Sequence, residues 1–117
     1  MRIEQTTRDG CVIVSVHGGL DVGTAPFLQH VLLRRLSERP SAVVCDLAGL
    51  DAIDVICATV FSTAARPASR WPETALVLAA ARECVTRVLV AAGVPETVPV
   101  YPTVDAAIAR RSALSPN

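Results

Sequence analysis

Val43-Val44-Cys45-Asp46-Leu47-Ala48-Gly49-Leu50-Asp51-Ala52-Ile53-Asp54-Val55-Ile56-Cys57-Ala58-Thr59-Val60-Phe61 is the stretch whose reading decides the fold. It opens on a near-continuous apolar run of the kind that forms a strand covered on both faces. Gly49 predicts a turn. Beyond it Cys57, Val60, Phe61 and Ala64 recur at i, i+3, i+4 and i+7, so a buried strand feeds an amphipathic helix. Asp54 precedes that helix as its expected N-cap, with a carboxylate suited to the free N–H groups and positive dipole end of a first turn. The turn that follows, Val55-Ile56-Cys57-Ala58, is apolar where an exposed helix start is ordinarily polar.

Upstream of this unit, residues 2–7 alternate weakly and reach Asp9-Gly10, a turn signal, before the β-branched run Cys11-Val12-Ile13-Val14-Ser15-Val16-His17. The two segments predict an N-terminal β-hairpin whose second strand buries Val12, Val14 and Val16 better than Cys11 and Ile13, and which Gly18-Gly19 ends. The loop from Leu20 to Thr24 then enters a helix, with Thr24 as N-cap, Pro26 in the first turn and Phe27, Val31, Leu32 and Leu36 as the apolar stripe. Arg39-Pro40 closes it.

Downstream, Arg66-Pro67 and Trp71-Pro72 predict that the second helix stops or kinks near Arg66, and that Trp71 lies in a loop over the sheet edge. A buried strand over 75–79, a helix over 83–92 stopped by Gly93, a proline-bearing edge strand over 98–101 and a last helix capped by Thr103 follow. Residues 112–117 are expected to fray. The order β-β-α-β-α-β-α-β-α predicts an α/β fold: a hairpin, then alternating strands and helices, giving a mostly parallel mixed sheet covered by helices.

The 117 residues, 51% of them hydrophobic, suit one domain over 1–117 with one core. The apolar runs fall short of the ~20 residues of a membrane span, and the start lacks the charged-then-apolar order of a signal peptide, so a cytoplasmic protein without a membrane partner is expected. Eleven basic residues, all arginine, balance eleven acidic ones with no run of either sign, which speaks against nucleic acid as a partner. Cys11, Cys45, Cys57 and Cys84 form no C-x-x-C pair and are not joined by His17 or His30 in ligand spacing, so neither a metal nor another cofactor is expected. No catalytic motif occurs, and the chain is expected not to be an enzyme.

Gly18-Gly19-Leu20-Asp21, the run Val43-Val44-Cys45-Asp46-Leu47-Ala48-Gly49-Leu50, Ile53-Asp54 at the second helix and Ala91-Ala92-Gly93-Val94 after the third together resemble the STAS family, the anti-sigma factor antagonist domain of bacterial regulatory switches. The resemblance runs over nearly the whole chain. It implies partner switching, in which the start of the second helix and the Asp21 loop dock on a kinase-type anti-sigma factor and release a sigma factor. The family signature Asp-Ser-Ser-Gly falls on Asp54, Val55, Ile56 and Cys57, and the second serine is the phospho-acceptor. Only the aspartate is kept. Ile56 has no hydroxyl, so the acceptor position cannot be phosphorylated.

The resemblance thus marks Asp21, Asp54, Val55, Ile56, Cys57 and Thr59 as partner-binding residues. Thr59 and Ser62 are the hydroxyls one and two turns on, open to a substitute acceptor role. An alternative makes the chain a non-phosphorylatable scaffold subunit that assembles with another STAS protein or with a second copy of itself. A third reading makes Cys57, at a helix start, a nucleophile or peroxide-sensitive thiol.

Overall fold

The computed structural model describes residues 1–68 and 74–114. β1 (Arg2–Arg8) and β2 (Cys11–Leu20) form the hairpin, closed by Asp9 and Gly10 with φ of 51° and 79°. Two successive positive φ values give the turn whose twist matches antiparallel strands. α1 (Ala25–Ser37), β3 (Ala42–Ile53), α2 (Thr59–Ala68), β4 (Leu76–Ala79), α3 (Glu83–Ala91), a short 3-10 turn at Val94–Glu96, β5 (Val100–Tyr101) and α4 (Val104–Leu114) follow. The expected α/β order stands, with the 3-10 turn added. The sheet runs β1-β2-β3-β4-β5, antiparallel between β1 and β2 and parallel elsewhere, and β5 lies at an edge as its proline predicts.

Each face of the sheet has its own apolar cluster. On one, Val14, Val16, Val43, Cys45, Leu47 and Leu78 pack against α1, α2 and α3 through Leu28, Leu32, Phe61, Ala64, Val85 and Leu89. On the other, Cys11, Ile13, Ala42, Val44, Val77 and Ala79 meet Ala107 and Ile108 of α4. At the start of β2 Cys11 and Ile13 are buried and Val12 is only half-buried, the reverse of what the alternation favours, because α4 covers the second face; Val14 and Val16 are fully buried as expected. Cys11, Cys45 and Cys57 are buried and Cys84 is exposed.

The expected α1 stripe holds at Leu32 and Leu36, with Val31 half-buried, and fails at Phe27. Leu28, Leu32 and Leu36 are buried at perfect i, i+4, i+8 spacing, while Phe27 is 52% exposed. At the other helices the punctuation reads as expected: Gly93 stops α3 at φ 75°, and the Thr103 hydroxyl accepts from the Ala106 N–H at 3.0 Å to cap α4. α2 continues through Pro67 to Ala68, and α4 reaches Leu114, so part of the expected tail is helical. The expectations for Trp71-Pro72 and for residues 115–117 lie outside the described residues.

The largest departures are at glycines. β2 runs through Gly18-Gly19 to Leu20, and β3 runs through Gly49 to Ile53. Pairing between them shifts twice: Ser15 faces Asp46 but His17 faces Gly49, and Gly18 faces Leu50 but Gly19 faces Ala52. β3 thus carries an extra residue at each of two bulges. The first changes the phase of the strand, so that Leu47 and Leu50, three apart, point into the same core cluster. Asp46 Oδ1 accepts from the Ala48 N–H at 3.0 Å, and Arg82 Nε donates to the Ala48 carbonyl at 3.1 Å, so both backbone groups of a bulged residue have partners. Gly49 is required because the imidazole of His17 lies where a Cβ would stand.

Replacing Gly49 by Ala is expected to destabilise the fold by about 1–3 kcal/mol through overpacking against that ring. His17→Ala in the same chain should recover most of the loss. A double-mutant cycle from urea unfolding checks it, and purely additive effects would show that ring and glycine do not compete for space.

Candidate functional site

The parallel pairing of β2 and β3 continues to Leu20 opposite Ile53, and the Asp54 N–H donates to the Leu20 carbonyl at 3.0 Å. The two segments that leave these strands therefore start side by side, at the same end of the sheet. In the first, Asp21 Oδ1 accepts from the N–H groups of Gly23 at 2.8 Å and Thr24 at 3.0 Å, and its carbonyl accepts from Ala25 at 2.8 Å. Asp21 shapes the loop that launches α1. Thr24, expected as the N-cap, holds the cap position but makes no side-chain cap bond. Its hydroxyl instead donates to the Gly19 carbonyl at 2.9 Å and accepts from the Asp21 N–H at 3.0 Å. Local side-chain bonds to the loop have outcompeted capping.

In the second segment Asp54 Oδ1 accepts from the Ile56 N–H at 2.8 Å, and the Asp54 carbonyl accepts from Ala58 at 3.0 Å. The next bonds, Thr59 to Ile56 at 3.3 Å and Val60 to Cys57 at 3.0 Å, span three residues rather than four. Asp54 thus caps a tight turn over Val55 to Ala58, and the regular helix begins only at Thr59. The turn lifts Ile56, 76% exposed, and Val55, 49% exposed, while Cys57 beneath them is 8% exposed. Thr59 is exposed and its hydroxyl donates to the Ile56 carbonyl at 2.7 Å; the Ser62 hydroxyl is paired with that of Thr97 at 3.1 Å.

Between this turn and the start of α1 lies an open hollow of about 280 Å³, bordered by Val22, Pro26 and Gln29 on one side and Ile56, Cys57 and Val60 on the other. No lining residue is charged. The hollow brings Ile56, Cys57 and Thr59 together, and Asp21 and Asp54 flank it closely enough to act on the Cys57 thiol. Burial first, then repulsion by Asp54 and then Asp21, pushes that thiol above its ordinary range. The direction is opposite to that of an activated nucleophile. Val22 borders the hollow without being marked by any motif. It is 79% exposed, and an apolar residue between Asp21 and Gly23 was the available signal.

A family model described as STAS domain matches residues 2–107. Among solved structures, an anti-sigma factor antagonist from Mycobacterium paratuberculosis is 26% identical, with 95% of this chain and 93% of that one covered and a TM-score of 0.81. The anti-sigma factor antagonist SpoIIAA in its unphosphorylated form shares the fold at 13% identity, covering 98% of this chain and 100% of that one, with a TM-score of 0.77. A sulfate transporter family protein from Wolinella succinogenes does so at 20% identity, 93% and 90% coverage and a TM-score of 0.76. No curated protein sequence is significantly similar to the chain. Among the described residues no helix is long and apolar enough to cross a membrane.

Because asparagine can still cap the turn while carrying no charge, Asp54→Asn is expected to lower the pH midpoint for alkylation of Cys57. Asp21→Asn should lower it by less, and neither should return it to an ordinary thiol, since burial is the larger cause. Iodoacetamide rates against pH, followed by peptide mapping to separate Cys57 from the exposed Cys84, check the order. An unmoved midpoint would contradict it.

Proposed function

The chain belongs to the STAS domain family, and from that premise we propose that it is an anti-sigma factor antagonist-like binding module of a cytoplasmic partner-switching circuit, working by docking rather than by catalysis. The observation that carries this reading is the exposed pair Val22 and Ile56, held up by two carboxylate-shaped turns at the same end of β2 and β3. Exposed apolar side chains grouped on rigid turns are what a protein interface uses, because a partner removes them from water without having to order them first. The likeness to the Mycobacterium paratuberculosis antagonist supports an anti-sigma factor as the class of partner; that it is of the kinase type is what the family resemblance implies.

Ile56 sets the mode of regulation. A phosphate in its place would add about −1.5 to −2 charges and three acceptor oxygens beside Asp21 and Asp54. The chain lacks the hydroxyl, so its docking face is held in one chemical state and its partner is engaged independently of nucleotide. Asp21 and Asp54 act mainly by shaping the two turns; Val55, Ile56, Cys57 and Thr59 supply contact surface or its immediate support.

The test is a calorimetric titration against the host's kinase-type anti-sigma factors with ADP and then ATP, followed by intact mass. Equal affinity with both nucleotides and an unchanged mass are expected. Ile56→Asp is expected to weaken binding at least tenfold, about 1.4 kcal/mol. A mass gain of one phosphate would overturn the regulatory part and direct mapping to Thr59, whose hydroxyl is exposed. Binding to none of these partners, with large self-association on a sizing column, would favour a scaffold subunit instead.

A further inference from the structure

The two edges of the sheet are finished differently. β5 is two residues long and follows Pro99, the usual way to blunt an edge strand. β1 is seven residues long, pairs with β2 without a bulge, holds no proline and is exposed at every residue but Ile3. Which of its backbone groups are open follows from the hairpin. The two-residue turn at Asp9-Gly10 makes Arg8 and Cys11 a pair that exchange hydrogen bonds, so by alternation Glu4 and Thr6 also bond inward to β2, whereas the N–H and C=O groups of Gln5 and Thr7 face the free edge. Glu4, Thr6 and Arg8 pair with Ser15, Ile13 and Cys11 and stand on the α4 side of the sheet, where Arg8 meets Asp105 at 2.8 Å. Gln5 stands on the opposite side, and its Oε1 accepts from Arg35 Nε of α1.

We propose that β1 pairs antiparallel with β1 of a second copy, about a two-fold axis at Thr6, joining two five-stranded sheets into one. The residues of the strand select this register. Bonds across the edge need outward-facing residues opposite each other, so the axis falls on a residue rather than between two. An axis at Glu4 opposes that carboxylate to itself, and one at Gln5 opposes Arg2 to Arg8 twice; like charges directly opposite are destabilising. An axis at Ile3 or Thr7 leaves a single bonded pair within the strands. At Thr6, Gln5 faces Thr7 of the second copy on each side of the axis, two pairs that each exchange both N–H···O bonds, and Glu4 faces Arg8 twice. Arg8 then lies between its own Asp105 and Glu4 of the second copy, and its guanidinium has donors for both. Two polar edge strands bury less than the ~1,600 Å² of a standard interface, so the dimer is weak and follows concentration. No residue of β1 borders the hollow at Ile56, so the pairing is independent of the docking reading and each dimer carries two open docking faces.

The experiment is sedimentation velocity on the full chain under reducing conditions, from micromolar to millimolar protein, with amide exchange followed at both ends of the range. A monomer to dimer equilibrium that weakens as salt rises is expected, with exchange at Gln5 and Thr7 slowed in the dimer and exchange at Thr6 unchanged. Glu4→Arg and Arg8→Glu each oppose like charges in this register, and each alone is expected to weaken dimerisation at least tenfold. An equimolar mixture of the two variants sets arginines of one chain against glutamates of the other and should restore the dimer, which a folding defect could not do. Thr7→Pro removes an N–H that faces away from β2, and should abolish pairing while leaving the circular dichroism unchanged. A monomer at millimolar protein, single variants that dimerise as the native chain does, a mixture that stays monomeric, or slowed exchange centred on another face would overturn the proposal. So would a dimer abolished by Ile56→Asp, which places the contact at the hollow. Glu4 and Arg8 do not border the hollow, so the monomeric variants are expected to bind an anti-sigma factor as the native chain does. Binding that fails for every anti-sigma factor while the dimer forms removes the docking reading and leaves this one.

Discussion

Everything at the candidate site depends on how far β2 and β3 stay paired. A parallel ladder from Cys11 beside Ala42 to Leu20 beside Ile53 is long for strands that must also keep a core face buried, and it survives only because β3 takes in extra residues at its two bulges. Without the change of phase at the first bulge, Leu50 would point away from the cluster that Leu47 occupies. The bulge at Ala48 in turn depends on Asp46 and Arg82, which satisfy an N–H and a carbonyl that the ladder leaves aside. The last bond of the arrangement, Asp54 N–H to the Leu20 carbonyl, ties the start of one loop to the end of the other strand. Two loops far apart in sequence are thereby fixed as neighbours before any side chain at the site is considered.

Given that frame, the two aspartates do matching work. Each turns a carboxylate oxygen back onto N–H groups of its own loop, which is the cheapest way to satisfy donors at the start of a helix or turn and to place negative charge near its positive end. The residues just after them, Val22 and Val55-Ile56, are then left on the outside of rigid turns. Their exposure is unfavourable in the free protein, and a flexible loop would hide them by folding over. The turns prevent that collapse and leave a surface that gains from a partner.

Much of this architecture was legible in the sequence, and the failures share a physical cause. Asp9-Gly10, Gly93 and Thr103 were read correctly because each has one dominant use at its position: a two-residue hairpin turn, a left-handed helix stop, a hydroxyl cap. Gly49 and Gly18-Gly19 were read as strand ends because glycine also marks turns, whereas here Gly49 makes room for the ring of His17, a fact that involves a residue thirty-two positions away. Thr24 was read as a cap because its position allows it, but Gly19 and Asp21 compete for the same hydroxyl. In α1 Leu32 and Leu36 are buried as the spacing predicts, but Leu28 rather than Phe27 starts the stripe, because both begin an acceptable helical pattern and only the tertiary partner chooses between them. At the candidate site the sequence marks Asp21, Asp54 and Ile56 but not Val22, because the exposure of Val22 opposite Ile56 arises from the facing turn rather than from its own neighbours.

The loss of the acceptor serine has a thermodynamic meaning within the proposed reading. A phosphate-controlled face is bistable: one covalent state docks and the other is repelled, and the difference must reach several kcal/mol to act as a switch. On this face no lining residue is charged, and the flanking carboxylates already raise the energy of the Cys57 thiolate, so a phosphate here would have met acidic neighbours on both turns. With isoleucine at that position, the face has no second state in the proposed reading. What remains is a single apolar surface whose occupancy follows the concentrations of the two proteins and their affinity alone. Control then moves off the covalent chemistry of this chain and onto how much of it is present, and the same substitution that removes the switch makes the hollow more apolar, strengthening the contact that mass action has to work through.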